Sequence, residues 1–256
     1  MVTVESALRE ATATIRGNFG KLFLLVVGLF LPVFLLGVGL VFAIESIVGD
    51  DAEASVLPIL LVAFGVLFGG YLMVQASAQV ITVDHLSGRR PSFGRSVRVG
   101  FQHVLPIFGA AFLGALAYML GLALLVVPGL IVITGLALTF PAIIFEGLGP
   151  LEGLNRSWAL TKGYRWKVFL SFVAVYLITS AVTIPIQLLW AGAASFIEEG
   201  GTSMLAWIAF GVGGLLFSAI YIISTIYYCV LPGVLYLRIK EAREGLDIGA
   251  LAAVFE

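Results

Sequence analysis

The side chains in this sequence that could perform acid–base chemistry or bind a metal are two histidines, one cysteine and a few isolated carboxylates. Asp84 stands next to His85, whereas His103 and Glu146 have no titratable neighbour in the chain. General acid–base catalysis needs a base within hydrogen-bond reach of its partner, and a structural zinc site needs about four ligands. Cys229 is a lone cysteine, and the sequence has no paired-histidine motif, glycine-rich phosphate loop or nucleophile elbow. We therefore predict no enzyme, no cofactor and no metal site.

Uncharged polar residues offer a second kind of chemistry, hydrogen bonding inside an apolar environment. Gln75 and Gln79 are four residues apart, so they share one face of a helix, and we expect that face to point into a helix bundle. Their amides could form hydrogen bonds between helices. They could also line a polar cavity or a site for a lipid headgroup. Both interpretations are open at this point.

The composition places these residues in a membrane protein. Of 256 residues, 61% are apolar and 11% are charged, and the mean hydropathy is +1.11. Soluble domains have about half apolar and a quarter charged residues. This composition excludes a soluble globular protein, a disordered chain and a nucleic-acid-binding protein. We predict an all-α, polytopic membrane protein with a single membrane domain over residues 1–256.

Charge-free stretches long enough to cross about 30 Å of hydrocarbon follow one another along the chain. They cover residues 22–44, 56–83, 104–145, 168–197 and 204–237. The third stretch has the length of two helices, and Pro128-Gly129 in its middle predicts a tight turn at the membrane surface. We therefore predict six transmembrane helices. The first stretch is longer than the roughly 7–15 apolar residues of a signal peptide, so we expect it to be retained as a span.

The basic residues predict the orientation. With six spans, all 14 Lys and Arg lie in four segments on one side of the membrane, with nine acidic residues, and the other six acidic residues lie opposite. Positively charged segments stay in the cytoplasm. The chain is therefore predicted to lie in the cytoplasmic membrane with both termini inside. Its basic face should contact membrane lipids, including anionic ones.

The basic segments also suggest a threefold pattern. Each of the first three precedes an odd-numbered span and contains a glycine followed closely by an aromatic residue, at Gly17, Gly100 and Gly163. We interpret the chain as three transmembrane hairpins, each preceded by a cytoplasmic interfacial amphipathic helix. The repeat units would be 3–84, 92–147 and 150–238, followed by a cytoplasmic tail over 239–256. The alternative is that similar constraints on inner-face loops produce the likeness without true repetition.

Local signals place the ends of the three interfacial helices. Thr3 and Ser92 are suitable N-caps for the first two, and in the second we expect Arg95 and Arg98 to face outward. Pro150 suits the first position of the third helix, and Gly163 suits its C-terminal end. Its apolar stripe consists of Leu151, Leu154 and Trp158. A last short helix could start at Asp247.

The segment from Glu146 to Gly163 is predicted to form a compact unit at the inner surface. It would contain a span end, a turn at Gly147 and Gly149, and the third interfacial helix, with Trp158 at headgroup depth. Glu146 and Arg156 could form an ion pair there. The residues predicted to contact lipid or a partner are Glu146, Arg156, Trp158, Lys162, Gln75 and Gln79.

Several motifs in the second half of the chain resemble a known group of membrane proteins. They are Pro128-Gly129-Leu130, Phe140-Pro-Ala-Ile-Ile-Phe-Glu-Gly147, Gly149-Pro-Leu-Glu-Gly-Leu-Asn-Arg-Ser-Trp158-Ala-Leu-Thr-Lys-Gly163 and Val234-Leu-Tyr-Leu-Arg-Ile-Lys-Glu-Ala-Arg-Glu-Gly245. These motifs look like those of the glycerophosphoryl diester phosphodiesterase membrane-domain group of bacterial and archaeal proteins. The resemblance implies a six-helix bundle with inner-face amphipathic helices. Some relatives carry a soluble phosphodiesterase barrel, which this sequence lacks, so the resemblance implies no such activity.

Three functions are compatible with these features. The first is a non-enzymatic scaffold that binds lipid or a membrane partner, including a second copy of the chain, with no nucleic acid involved. The second is a transporter or channel for a neutral, lipidic or small solute, supported by the Gln75/Gln79 face. The third is an enzyme at the inner interface using Glu146, Asp84 or His85. The missing catalytic motifs favour the first.

Overall fold

The computed structural model describes residues 3–48, 53–201 and 203–245, and within them the chain is helical without strands. The helices are α1 (Val4–Val48), α2 (Glu53–Leu86), α3 (Phe93–Leu124), α4 (Val126–Leu136), α5 (Thr139–Glu146), α6 (Pro150–Thr161), α7 (Arg165–Glu198) and α8 (Met204–Glu244). The predicted all-α class is thus confirmed for this part of the chain. The proposed helix beginning at Asp247 lies outside the described residues, as do Asp50 and Asp51.

Five segments of the described chain are long and apolar enough to cross a membrane. They are Phe64–Leu86, Phe93–Leu124, Val126–Glu146, Arg165–Glu198 and Met204–Glu244. The first predicted span, residues 22–44, belongs to the helical backbone of α1, but many of its side chains lie outside the described part of the chain. These helices identify the chain as a multi-pass membrane protein. The total of six spans stays a prediction.

The beginnings of α1 and α3 differ in how they are capped. The Thr3 hydroxyl accepts a hydrogen bond from the Ser6 backbone N–H at 3.1 Å, so the predicted N-cap is confirmed. Ser92 occupies the N-cap position of α3, but its hydroxyl caps no backbone N–H. Instead, its carbonyl accepts from Ser96 at both the backbone and the side chain. The side-chain cap predicted at Ser92 was therefore wrong.

The boundary between α3 and α4 lies at Leu125 instead of at the predicted Pro128-Gly129 turn. Leu125 is extended, and α4 begins at Val126. Pro128 then lies in the first turn of α4, where backbone N–H groups have no helical acceptor and proline is tolerated. Gly129 is buried and helical, and it allows close packing, since a Cβ on Gly121 would lie 3.1 Å from its Cα. Gly129 therefore allows α3 and α4 to pack closely and does not form the turn between them.

The fourth predicted span consists of two helices, α4 and α5, separated at Ala137 and Leu138. This break frees backbone groups that would be costly in an apolar environment. The Ser157 hydroxyl of α6 donates to the Gly135 carbonyl at 2.8 Å and accepts from the Leu138 N–H at 3.1 Å. A single side chain of α6 thus satisfies both sides of the break.

The core is concentrated at one end of the bundle. The second half of α2, from Leu72 to Asp84, and the segment of α8 from Ile226 to Leu237 are almost continuously buried. Helix α2 contacts α1, α3, α5 and α8. At the other end, α7 and α8 expose large apolar side chains such as Leu189 and Leu205. This distribution suits a bundle whose outer surface faces hydrocarbon.

Candidate functional site

Charged side chains gather at the buried end of the bundle, which we call the polar end. Its contacts join segments that are distant in the chain. Arg238 Nε donates to Glu10 Oε2 at 2.6 Å, Lys21 Nζ to the Pro91 carbonyl at 2.7 Å, and Arg243 Nη1 to the Ala159 carbonyl at 2.6 Å. The four basic segments therefore meet at one end.

Glu146 is the centre of the largest charged cluster at the polar end. Arg156 donates to it twice, from Nε to Oε2 and from Nη2 to Oε1, both at 2.8 Å. Lys240 Nζ donates to Oε1 at 2.5 Å, and the Tyr236 hydroxyl also donates to Oε1. The predicted Glu146–Arg156 pair is present. Lys240 and Tyr236, which sequence reasoning missed, complete it from α8.

Arg156 also binds a second carboxylate. Its Nη1 lies 2.7 Å from Glu244 Oε1. The carboxylates of Glu244 and Glu146 raise the pKa of the Arg156 guanidinium above its ordinary value. Two carboxylates and two cations balance within the cluster, and bidentate pairs of this kind fix geometry. The arrangement ties α5, α6 and α8 together and presents no free nucleophile or base.

The turn between α5 and α6 holds Glu146 and Arg156 on neighbouring helices. Gly147 has φ +65°, the left-handed conformation that favours glycine, and Gly163 beyond α6 has φ +87°. The Gly149 N–H donates to the Glu152 carboxylate at 3.0 Å, and α6 begins at Pro150. The predicted turn at Gly147 and the predicted helix start at Pro150 are therefore confirmed.

Helix α6 packs through small residues as well as through part of its predicted apolar stripe. Gly153, Ser157 and Leu160 are buried, whereas 63% of Leu151 is exposed. A methyl group on Gly153 would overlap Ile143, so small residues allow α6 to lie close against α5. Of the predicted stripe, Leu154 packs against the core and Trp158 covers Gly135, whereas Leu151 is left at the surface.

Two predicted contact residues, Trp158 and Lys162, lie at the surface of α6. Trp158 is 41% exposed, its ring covers Gly135, and the Arg165 guanidinium lies 3.9 Å from the ring centroid. Lys162 is exposed, and its carbonyl accepts from Arg243 Nη2 at 2.8 Å. Neither residue joins the Glu146 cluster directly.

Asp84 is completely buried at the end of α2. Its Oδ2 pairs with Arg95, so the prediction that Arg95 faces outward was wrong. The reason is tertiary: α1, α3 and α8 surround the end of α2 and exclude water. A buried carboxylate needs a partner, and the nearest cation on the next helix provides it.

Gln75 and Gln79 are both buried on α2, as their shared face predicted. Gln79 Nε2 donates to the Cys229 carbonyl of α8 at 2.7 Å. A methyl group on Gly233 would overlap the Gln79 amide, so this glycine makes room for it. Gln79 therefore joins two helices. Gln75 bonds within its own helix, to the Tyr71 hydroxyl at 2.8 Å.

Gln75 lines a cavity of about 710 Å³ that lies between the helices and is partly open to the outside of the bundle. The cavity is bounded by residues of α2, α3, α4, α5, α6, α7 and α8. Its wall includes Phe68, Tyr71, Ala111, Ala115, Tyr118, Thr134, Phe140, Phe172, Tyr176 and Tyr228. None of the lining residues is charged. Ligand cavities in proteins span about 300–1,000 Å³ and are mostly apolar with a few polar groups, so this one has the size and lining for an apolar ligand.

The histidines occupy separate places. The His85 ring lies against Gly17, and His103 Nδ1 lies 2.8 Å from the Val99 carbonyl. Within the described ranges, no three His, Cys, Asp or Glu side chains are grouped to hold a metal ion. The sequence suggested that Gln75 and Gln79 could line a polar cavity, but it did not indicate the rest of the wall, which combines residues from seven helices and does not include Gln79.

Comparison with known proteins gives one match. Residues 110–231 match the family model described as "Domain of unknown function (DUF7847)". This region runs from the middle of α3 into α8 and includes the break between α4 and α5, the whole of α6 and most of the cavity wall. No curated protein and no solved structure matches the chain. The relationship to the glycerophosphoryl diester phosphodiesterase membrane-domain group stays a prediction.

Proposed function

We propose that this chain is a non-enzymatic integral membrane protein that binds a lipid or another apolar ligand inside its helix bundle. The observation that carries the proposal is the uncharged cavity of about 710 Å³. A hydrocarbon chain in this partly open cavity would gain packing contacts with the wall without introducing an unpaired charge.

The charged groups support a structural role instead of catalysis. Glu146 and Asp84 are engaged by cations, and Gln79 is engaged by the α8 backbone. A general acid or base should have access to a reacting group. The surroundings of these carboxylates favour a binding protein over an enzyme at the inner interface.

The proposed setting is the cytoplasmic membrane with both termini inside. The support is that the segments carrying the 14 Lys and Arg converge at the polar end. Each exposed base there would add about 1 kcal/mol of attraction to an anionic lipid surface. Six spans in three hairpins complete this proposal, together with anionic lipids and either a second copy or another membrane protein as partners.

A transporter for a neutral, lipidic or small solute is the second candidate. The observation in its favour is that the cavity wall includes both a buried amide at Gln75 and Pro232 within α8. Proline inside a helix frees a carbonyl and permits bending. A transporter requires the cavity to open in turn to each side, whereas a scaffold or binding protein does not.

Native mass spectrometry of the protein released from lipid nanodiscs tests the proposal. We expect a stoichiometric lipid to be retained by the wild type, and to be lost from Ala111→Phe and Ala115→Phe, which fill the cavity. Leu116→Phe is the matched control, because Leu116 lies on the same helix, is exposed and does not line the cavity. The control should retain the lipid.

The result that contradicts binding in the cavity is equal lipid retention by all four proteins. A defined oligomer without lipid would instead favour a partner-binding scaffold. A bare monomer would favour the small-solute transporter.

A further inference from the structure

The buried amide of Gln75 is incompletely hydrogen-bonded. Only 6% of this residue is exposed, and its Nε2 donates to the Tyr71 hydroxyl at 2.8 Å. Its Oε1 has no hydrogen-bond partner in the part of the chain that the structure describes. A buried acceptor without a donor is unfavourable, and native proteins rarely contain one. The cavity that Gln75 lines is the place from which a donor could come.

Tyr71 adds a second polar group at the same place. It lines the cavity one helical turn before Gln75, and its oxygen already accepts from the Gln75 amide. The tyrosine proton is then directed away from that amide. A ligand hydroxyl can donate to Gln75 Oε1 and accept from Tyr71 at the same time. Since a hydroxyl both donates and accepts, it satisfies either end of the amide.

The remaining polar groups in the wall select against charge. The hydroxyls of Thr134 and Thr139 donate to carbonyls of their own segment, at 2.7 Å in each case. The tyrosines of the wall, Tyr118, Tyr176 and Tyr228, offer hydroxyl groups and no cation. A carboxylate or phosphate in this cavity would find no cation in the lining, and an unpaired buried charge is strongly unfavourable. The wall therefore matches a neutral head on an apolar chain.

We propose that the cavity binds a neutral lipid through a hydroxyl group, held between Gln75 Oε1 and the Tyr71 hydroxyl, with its hydrocarbon chain against the aromatic and small residues of the wall. This inference rests on the proposed function, because it requires that the cavity binds a ligand. It adds the chemical class of that ligand. Long-chain alcohols and other neutral lipids with a free hydroxyl fall within it, whereas fatty acids and phospholipid headgroups do not.

The test uses three probes that share one hydrocarbon chain: hexadecanol, its methyl ether and hexadecanoate. Each probe is added to the full-length protein in nanodiscs. The probe retained by each variant is measured by native mass spectrometry. We expect the wild type to prefer the alcohol over both other probes. Gln75→Leu should weaken retention of the alcohol by about five- to tenfold and leave the ether unchanged, as expected for one lost hydrogen bond.

Two further variants keep the result interpretable. Tyr71→Phe removes one hydroxyl and should also reduce the preference for the alcohol. Gln187→Leu makes the same substitution as Gln75→Leu at an exposed position of α7 outside the cavity wall, and it should behave as the wild type. Thermal unfolding of all variants identifies any that fail to fold, and Tyr71→Phe then provides the test.

The possible failures are distinguishable. Retention of none of the probes by the wild type would overturn the proposed function together with this inference. Equal retention of alcohol and ether, unaffected by Gln75→Leu and Tyr71→Phe, would overturn the hydroxyl site while leaving an apolar cavity. Preference for hexadecanoate would overturn the neutral ligand class.

Discussion

At the scale of single residues, the charged groups of the polar end neutralise one another. Glu146 is shared by Arg156 and Lys240, and Asp84 is paired with Arg95. A buried charge that loses its partner is strongly destabilising, whereas an exposed pair contributes little. This chain contains both a buried ion pair, Asp84–Arg95, and an exposed one, Glu5–Arg9, so their contributions to stability can be compared directly.

Asp84→Asn and Arg95→Gln should each destabilise the protein, by about 1–3 kcal/mol, because each leaves a polar group without its charged partner. The double variant should lose less stability than the sum of the two single variants, because each single variant already breaks the same ion pair. Thermal or denaturant unfolding in a mild detergent, followed by circular dichroism, measures this coupling.

The matched control is Glu5–Arg9, an ion pair in which the side chains are 80% and 79% exposed. The same cycle with Glu5→Gln and Arg9→Gln should give a coupling near zero, because solvent screens the pair. If the coupling at Asp84–Arg95 is as small as this one, the buried pair does not hold α2 and α3 together.

The residue types of the polar end were visible in the sequence, but most of their partners were not. Glu146 and Arg156 are separated by ten residues and a turn, and local geometry was enough to suggest their contact. Lys240 is 94 residues from Glu146, so only the packing of α8 against α5 brings it there. The burial of Asp84 likewise depends on the packing of α1, α3 and α8 around the end of α2.

At the scale of helices, α6 is the element that holds its neighbouring helices together. It contacts α3, α4, α5 and α8, and Ser157 satisfies the backbone where α4 and α5 separate. The close approach to α5 depends on Gly153, whose missing side chain leaves room for Ile143. Helix α6 therefore determines how α4 and α5 are joined.

Gly153→Ala should destabilise the protein by about 1–3 kcal/mol, because the added methyl group overlaps Ile143 and pushes α6 away from α5. Asn155→Ala on the exposed side of α6 is the control and should change the stability by less than about 0.5 kcal/mol. Both are measured by thermal unfolding in the same detergent. Equal stability of the two variants would show that the close contact is unimportant.

Hydropathy predicted where the long helices lie, and glycine and proline predicted the ends of α6. The same signals misplaced the boundary between α3 and α4, because a proline in the first turn of a helix resembles one that terminates the preceding helix. The break at Ala137 and Leu138 has no proline or glycine at its centre. It is possible because Ser157, 19 residues from Leu138, supplies the missing hydrogen bonds.

At the scale of the whole molecule, the two ends of the bundle are built differently. The polar end is densely packed and contains the ion pairs, whereas the opposite halves of α7 and α8 expose apolar side chains. There, Trp190 stacks on Phe210 and Phe217, with ring centroids 5.6 and 5.8 Å apart. The cavity lies between these regions, so the bundle has a densely packed base and a less densely packed upper part.

The polar end should face the cytoplasm, because basic segments are retained on that side. In a Cys229→Ser background, Arg90→Cys and Ser203→Cys place single exposed thiols between α2 and α3 and between α7 and α8. A membrane-impermeant maleimide added to intact cells should label Ser203→Cys at once, and label Arg90→Cys only after permeabilisation. Because α8 joins the two ends, labelling of both positions in intact cells would contradict a single transmembrane orientation, and the reverse pattern would place the polar end outside.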